Sequence, residues 1–122
     1  MTARTLARLQ ALGRAAIGGG LVLAPGAVAG AWVGGVADRR DGQALAIGLG
    51  ARDAAIALGT LHALRGRRGA VPWLRAGIAA DAADLAATLR ARDRLPPLAV
   101  PAVVAIAGGS VLLGAYLQAA LD

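Results

Sequence analysis

Five ionisable residues fall inside apolar stretches of this chain: Arg14, the neighbours Arg52 and Asp53, and Asp81 with Asp84 three positions on. Carboxylates in such surroundings can exchange protons, hold a cation or act as general acids, because low dielectric disfavours their charged form. An arginine beside them can grip a carboxylate through two parallel N–H groups. No motif around these residues identifies a known chemistry, so no catalytic residue is assigned. Asp81-x-x-Asp84 offers two carboxylates to a divalent cation, but a lone pair at this spacing is a weak signal, and neither a metal nor a cofactor is expected.

Energy makes the cluster informative. A lone Arg or Asp at a bilayer centre costs about 2.5–3.5 kcal/mol. Four such charges unpaired would cost about 10 kcal/mol, comparable with the stability of a whole domain. They must therefore pair or line water. Two arginines face three aspartates, which leaves one Asp to hold a proton or titrate, and that Asp is the functional candidate. The competing role is structural: a buried ionic network can fix helix register and exclude wrong packings.

Helix geometry assigns the partners. Neighbours on a helix diverge by about 100°, so Arg52 and Asp53 are expected to face different helices. Gly77, Asp81, Asp84 and Thr88 lie at spacings of 4, 3 and 4 and form one stripe, the expected acceptor for Arg52. Gly48, Ala55 and Gly59 lie on the Arg52 side and are small enough for a second helix to come close. Thr60, His62 and Thr88 are possible accessory groups. His62 lies about one turn from the RGRRG run at residues 65–69 and suits an interface better than a proton relay.

The elements carrying these residues read as membrane helices. Of 122 residues, 57% are hydrophobic and 16% charged, against about 25% charged in a soluble domain. Mean hydropathy is +0.62. A soluble bundle so poor in charge would expose large apolar patches. The length allows one domain. Segments 5–24, 43–64, 71–90 and 97–121 are each long enough to cross roughly 30 Å of hydrocarbon. Leu and Ala dominate and no period-2 alternation appears, so strands are disfavoured. The predicted class is all-α: a polytopic membrane protein with four transmembrane helices in a small bundle. A short glycine-rich interfacial helix over 26–37 follows the first span, with Gly26, Gly30 and Gly34 on one edge and Trp32 at the interface.

Two other boundaries compete at the N-terminus. One makes 17–37 the first span, kinked at Pro25, behind an amphipathic surface helix over 3–16. The other is a signal peptide cleaved after Ala27-Val28-Ala29, although its core is glycine-rich and broken by Pro25.

The net charge of +6 comes from thirteen Arg against seven Asp. No basic helix face with interleaved aromatics accompanies it, so nucleic acid is not an expected partner. Those arginines suit lipid headgroups and topology. Arg4, Arg8, Arg65, Arg67 and Arg68 fall on one side of the four-span scheme, and Arg39, Arg40, Arg90, Arg92 and Arg94 on the other. The near balance leaves only a lean towards both termini inside. The absence of Cys removes disulfides and thiolate chemistry, and a single His removes two-imidazole sites. Small-xxx-small spacing recurs at Gly26/Gly30/Gly34, Ala79/Ala83/Ala87 and Ser110/Gly114, which suits a homo-oligomer or a larger membrane partner.

Gly13-Arg14, Gly18, Gly20 and Leu23-Ala24-Pro25, then GARD at 50–53 with Gly59, then Asp81 and Asp84, resemble a family of small four-helix bacterial membrane proteins of unknown function. The resemblance spans almost the whole chain. It implies a first helix ending at Pro25 and a bacterial cytoplasmic membrane location, and it implies no activity. The expected function is a binding or transport unit for a small or lipid-like ligand or for protons. The alternatives are a small enzyme using Asp general acid chemistry on a lipid or isoprenoid, and an accessory or scaffold subunit.

Overall fold

A computed structural model describes residues 1–66 and 69–122, and these are helical with no strand. Arg67 and Arg68, placed above in the RGRRG run, lie outside the described residues. Helix α1 spans Ala3–Leu23. Thr2 caps it, its hydroxyl accepting from the Thr5 amide at 3.2 Å. The helix runs unbroken past Arg8 and Arg14 and stops before Pro25, whose ring disfavours helical backbone at Ala24. No separate surface helix covers 3–16.

Pro25 opens α2, Pro25–Val33, where its missing N–H costs nothing. The chain bends by 109° between α1 and the Pro25–Asp38 segment. Helix α2 is shorter than predicted, because Gly34 takes φ +68 and a tight 3₁₀ turn follows over Gly34–Asp38. Three longer helices complete the chain. Helix α3 spans Arg40–Arg65 and α4 spans Val71–Arg90. Helix α5, Ala99–Leu121, contains one π-helical turn at Val104–Gly108.

Cross-helix contacts give the directions. Arg4 of α1 donates to the Leu64 carbonyl at 2.7 Å, satisfying part of the α3 C-terminus. Gly18 meets Gly50 further along, so α1 and α3 are antiparallel. Trp73 packs on Gly59 while Arg52 reaches Asp84, which makes α3 and α4 antiparallel too. Leu74 and Leu117 share a buried cluster, and Ile78 lies against Gly114, which orients α5 opposite to α4. Both chain ends therefore sit at one end of the molecule. The α2 segment and Arg92–Arg94 sit at the other, where Pro96 contacts Gly34.

Small residues fill the interior. Ala7, Ala11, Ala29, Ala37, Ala46, Ala57 and Ala63 are buried, while Leu45, Leu58 and Leu112 are 72%, 64% and 74% exposed. Leu21, Ile56, Leu64, Val71, Leu74 and Leu117 are buried as well, but a core made mostly of alanine beneath so many exposed large apolar side chains is unlike that of a soluble protein. Helices α3 and α5 are long and apolar enough to cross a membrane, and the bent pair α1–α2 brings the number to three if it counts as one span. Helix α4 has the length but also carries Arg75, Asp81, Asp84 and Arg90.

Candidate functional site

Close approach builds the site. A Cβ at Gly50 would lie 2.5 Å from the Gly18 carbonyl oxygen, and one at Gly18 would lie 2.7 Å from that of Gly50. Only a pair of glycines lets α1 and α3 cross so tightly, and one turn along the crossing Arg14 comes within reach of Asp53. This contact uses Gly50 where Gly48 was expected, since a Cβ at Gly48 would meet nothing within 4 Å. Gly59 does serve a contact, receiving the Trp73 ring.

Arg14 is the hub. It donates to Asp53 Oδ1 at 3.3 Å and to Asp81 Oδ2 at 2.5 Å. It also reaches the Gly77 carbonyl at 3.5 Å and the Ser110 hydroxyl at 3.4 Å, so one guanidinium touches α3, α4 and α5. Its side chain is only 9% exposed. Gly77 gives the guanidinium room, since a Cβ there would stand 3.2 Å from Arg14 Nη2. Gln10, one turn before Arg14, donates to both the carbonyl and the hydroxyl of Ser110.

Arg52 holds the second half. It grips Asp84 through both carboxylate oxygens, at 3.0 and 2.7 Å, in the two-pronged geometry that suits a guanidinium. It also donates to Asp53 Oδ1, from Nε at 3.2 Å and Nη2 at 3.1 Å. The expected division between Arg52 and Asp53 is therefore incomplete. Their Cβ atoms diverge as helix geometry requires, but the long arginine side chain folds back onto its neighbour. The stripe on α4 is likewise shared: Asp84 takes Arg52, whereas Asp81 belongs to Arg14.

Thr88, 1% exposed, donates to the Asp84 carbonyl at 2.7 Å and accepts the Trp32 indole N–H at 2.9 Å. Through this bond Trp32, expected at the membrane interface, pins α2 against α4. Thr60 is buried and spends its hydroxyl on the Ile56 carbonyl. His62 is exposed, two to three turns along α3 from Asp53, and takes no part in the cluster.

Beside the cluster lies a cavity of about 270 Å³. Its walls are apolar, with Ile17, Leu21, Val28, Leu49, Val103 and Ile106 among them, and one region carries Arg52, Asp53, Asp81 and Asp84. Trp32 borders it from α2 and Ala107 from the π-helical turn. Irregular turns of this kind often occur at functional sites. Arg14 does not border this cavity. It borders a separate void of about 10 Å³ beside Thr60 and Gly77, room for one water.

Sequence reasoning located the five ionisable residues but missed the cavity, Gln10, Ser110 and the crossing glycines. Gln10 was readable, because it lies four residues before Arg14 on the same helix face. No protein-family model, no curated protein and no solved structure matches the chain.

Proposed function

We propose that this chain is an integral membrane protein that binds a small or lipid-like ligand in the cavity beside its Arg/Asp cluster. In this reading α1, α3, α4 and α5 cross the bilayer as a four-helix bundle, and the Pro25–Asp38 segment folds back at one face. The outward-facing leucines and the inward alanines support it. So does the pairing of every arginine and aspartate at mid-helix, which removes the cost of leaving them alone in hydrocarbon.

The observation that carries the binding reading is the cavity. Ligand sites are concave, mostly apolar and marked by a few convergent polar groups. Here about 270 Å³ of apolar space ends on charged side chains, and an apolar cavity of about 150 Å³ already holds benzene. A purely structural network would need no such space.

Trp32 provides the test. In a Trp73→Phe background it is the sole tryptophan, and a brominated alkane entering the cavity quenches it saturably. Ala107→Leu or Ala31→Leu, each adding bulk at the cavity wall, abolishes the saturable component. Quenching that never saturates, or that survives both substitutions, contradicts the reading.

One observation favours a second reading, acid catalysis on a lipid or isoprenoid: the Asp81 carboxylate borders the same apolar space and keeps an oxygen outside its ion pair. Turnover of a bound lipid, lost in Asp81→Asn while binding persists, would establish it.

A further inference from the structure

The hydrogen bonds of the cluster are unevenly shared among its carboxylate oxygens. Both oxygens of Asp84 are taken by Arg52. Asp53 takes all its bonds on Oδ1, from Arg14 and Arg52, and Asp81 takes its bond on Oδ2. Asp53 Oδ2 and Asp81 Oδ1 therefore have no partner among the described residues. The two residues are 7% and 8% exposed. No fully buried side-chain nitrogen or oxygen among the described residues lacks a partner, so these two unpartnered oxygens keep some reachable surface. Both residues border the large cavity and neither borders the small void.

Charge points the same way. Two arginines against three aspartates leave the cluster one formal negative charge. The free positions are acceptors, whereas the donors on the cavity side are largely committed: the Trp32 N–H is spent on Thr88, and Arg52 gives four of its five N–H groups to Asp53 and Asp84. An anionic head would meet this surplus with repulsion. A quaternary ammonium carries no N–H for the free oxygens, and Trp32 is the one aromatic on the wall, too few for an aromatic cage. A metal ion lacks its ligand set, since no group of three or more His, Cys, Asp or Glu among the described residues is placed to hold one.

Resting on the cavity reading above, we infer that the ligand is an amphiphile with a protonated primary amine. Its N–H groups donate to Asp53 Oδ2 and Asp81 Oδ1, and its apolar body lies along Ile17, Leu21, Val103 and Ile106. A primary ammonium has three donors, enough to satisfy both oxygens and neutralise the cluster.

The experiment titrates unmodified protein in mild detergent with four probes built on an eight-carbon chain, one at a time, and reads bound mass by native mass spectrometry. The probes are octylamine, octyltrimethylammonium, octanol and octanoate, and Ala107→Leu is run beside the wild type. Octylamine occupying the protein at about tenfold lower concentration than any other probe, with binding lost in Ala107→Leu, is the expected result. Octanol, octyltrimethylammonium or octanoate binding as tightly as the amine, and lost in Ala107→Leu, overturns the amine assignment while leaving the cavity reading intact. No probe binding, or binding indifferent to Ala107→Leu, overturns both. Because the comparison among head groups uses wild-type protein, it does not depend on how well any carboxylate variant folds.

Discussion

Arg14 and Arg52 look interchangeable in the sequence, yet their surroundings give them different work. Arg14 is 9% exposed and binds groups on three other helices, while Arg52 is 31% exposed and borders the cavity. Removing one partner from a buried ion pair costs about 3–5 kcal/mol, because the other charge stays behind. Arg14→Met is therefore expected to lose stability in that range. Arg52→Met strands Asp84 while Arg14 still holds Asp53, and should lose about 2.5–3.5 kcal/mol, the cost of one lone charge in hydrocarbon. Reversible unfolding in detergent checks both, and a loss below about 1 kcal/mol, the scale of solvent-exposed pairs, would contradict burial of either pair in hydrocarbon. The residue types were legible because a charge inside an apolar run is conspicuous. The pairing was not, since the reach of an arginine side chain lets Arg52 return to Asp53 and leaves Asp81 for Arg14, which linear spacing cannot reveal.

At the scale of elements, a pair of glycines decides where the charges meet. Alanine is a better helix former than glycine by about 1 kcal/mol. At Gly48, where a Cβ meets nothing within 4 Å, Gly48→Ala is expected to stabilise by up to that amount. At Gly50 a Cβ would stand 2.5 Å from the Gly18 carbonyl. Overpacking of that kind costs about 1–3 kcal/mol, so Gly50→Ala should be net destabilising and should loosen the Arg14–Asp53 contact. Thermal unfolding of the two variants checks the opposite signs. The helix ends were legible from Pro25 and from the charged turns. The choice of Gly50 over Gly48 was not, because the two lie about 200° apart around the helix and only the partner helix fixes which of them is packed. The same holds for the partner of Trp32, since Thr88 is brought to its ring only by the 109° bend.

For the whole molecule, the proposed four crossings make a topological prediction. Both termini lie at one end and Arg92–Arg94 at the other. The chain contains no cysteine, so single substitutions label without background. Thr2→Cys and Asp122→Cys should react with an impermeant maleimide from the same side of sealed vesicles, and Asp93→Cys only from the opposite side. Labelling of all three from one side would refute the four-span arrangement. The apolar segments made the helices readable in advance. The cavity was hidden because its wall is assembled from five helices, and no local pattern marks a space between distant side chains.

The central claim is that this space is occupied by a ligand in the cell. Native mass spectrometry of protein gently extracted from its own membrane tests it most directly, with wild type and Ala107→Leu compared under identical conditions. A discrete added mass on the wild type, absent from a folded Ala107→Leu variant, is the predicted result. A wild-type protein that carries no added mass, or an added mass retained in full by the filled variant, would contradict the account.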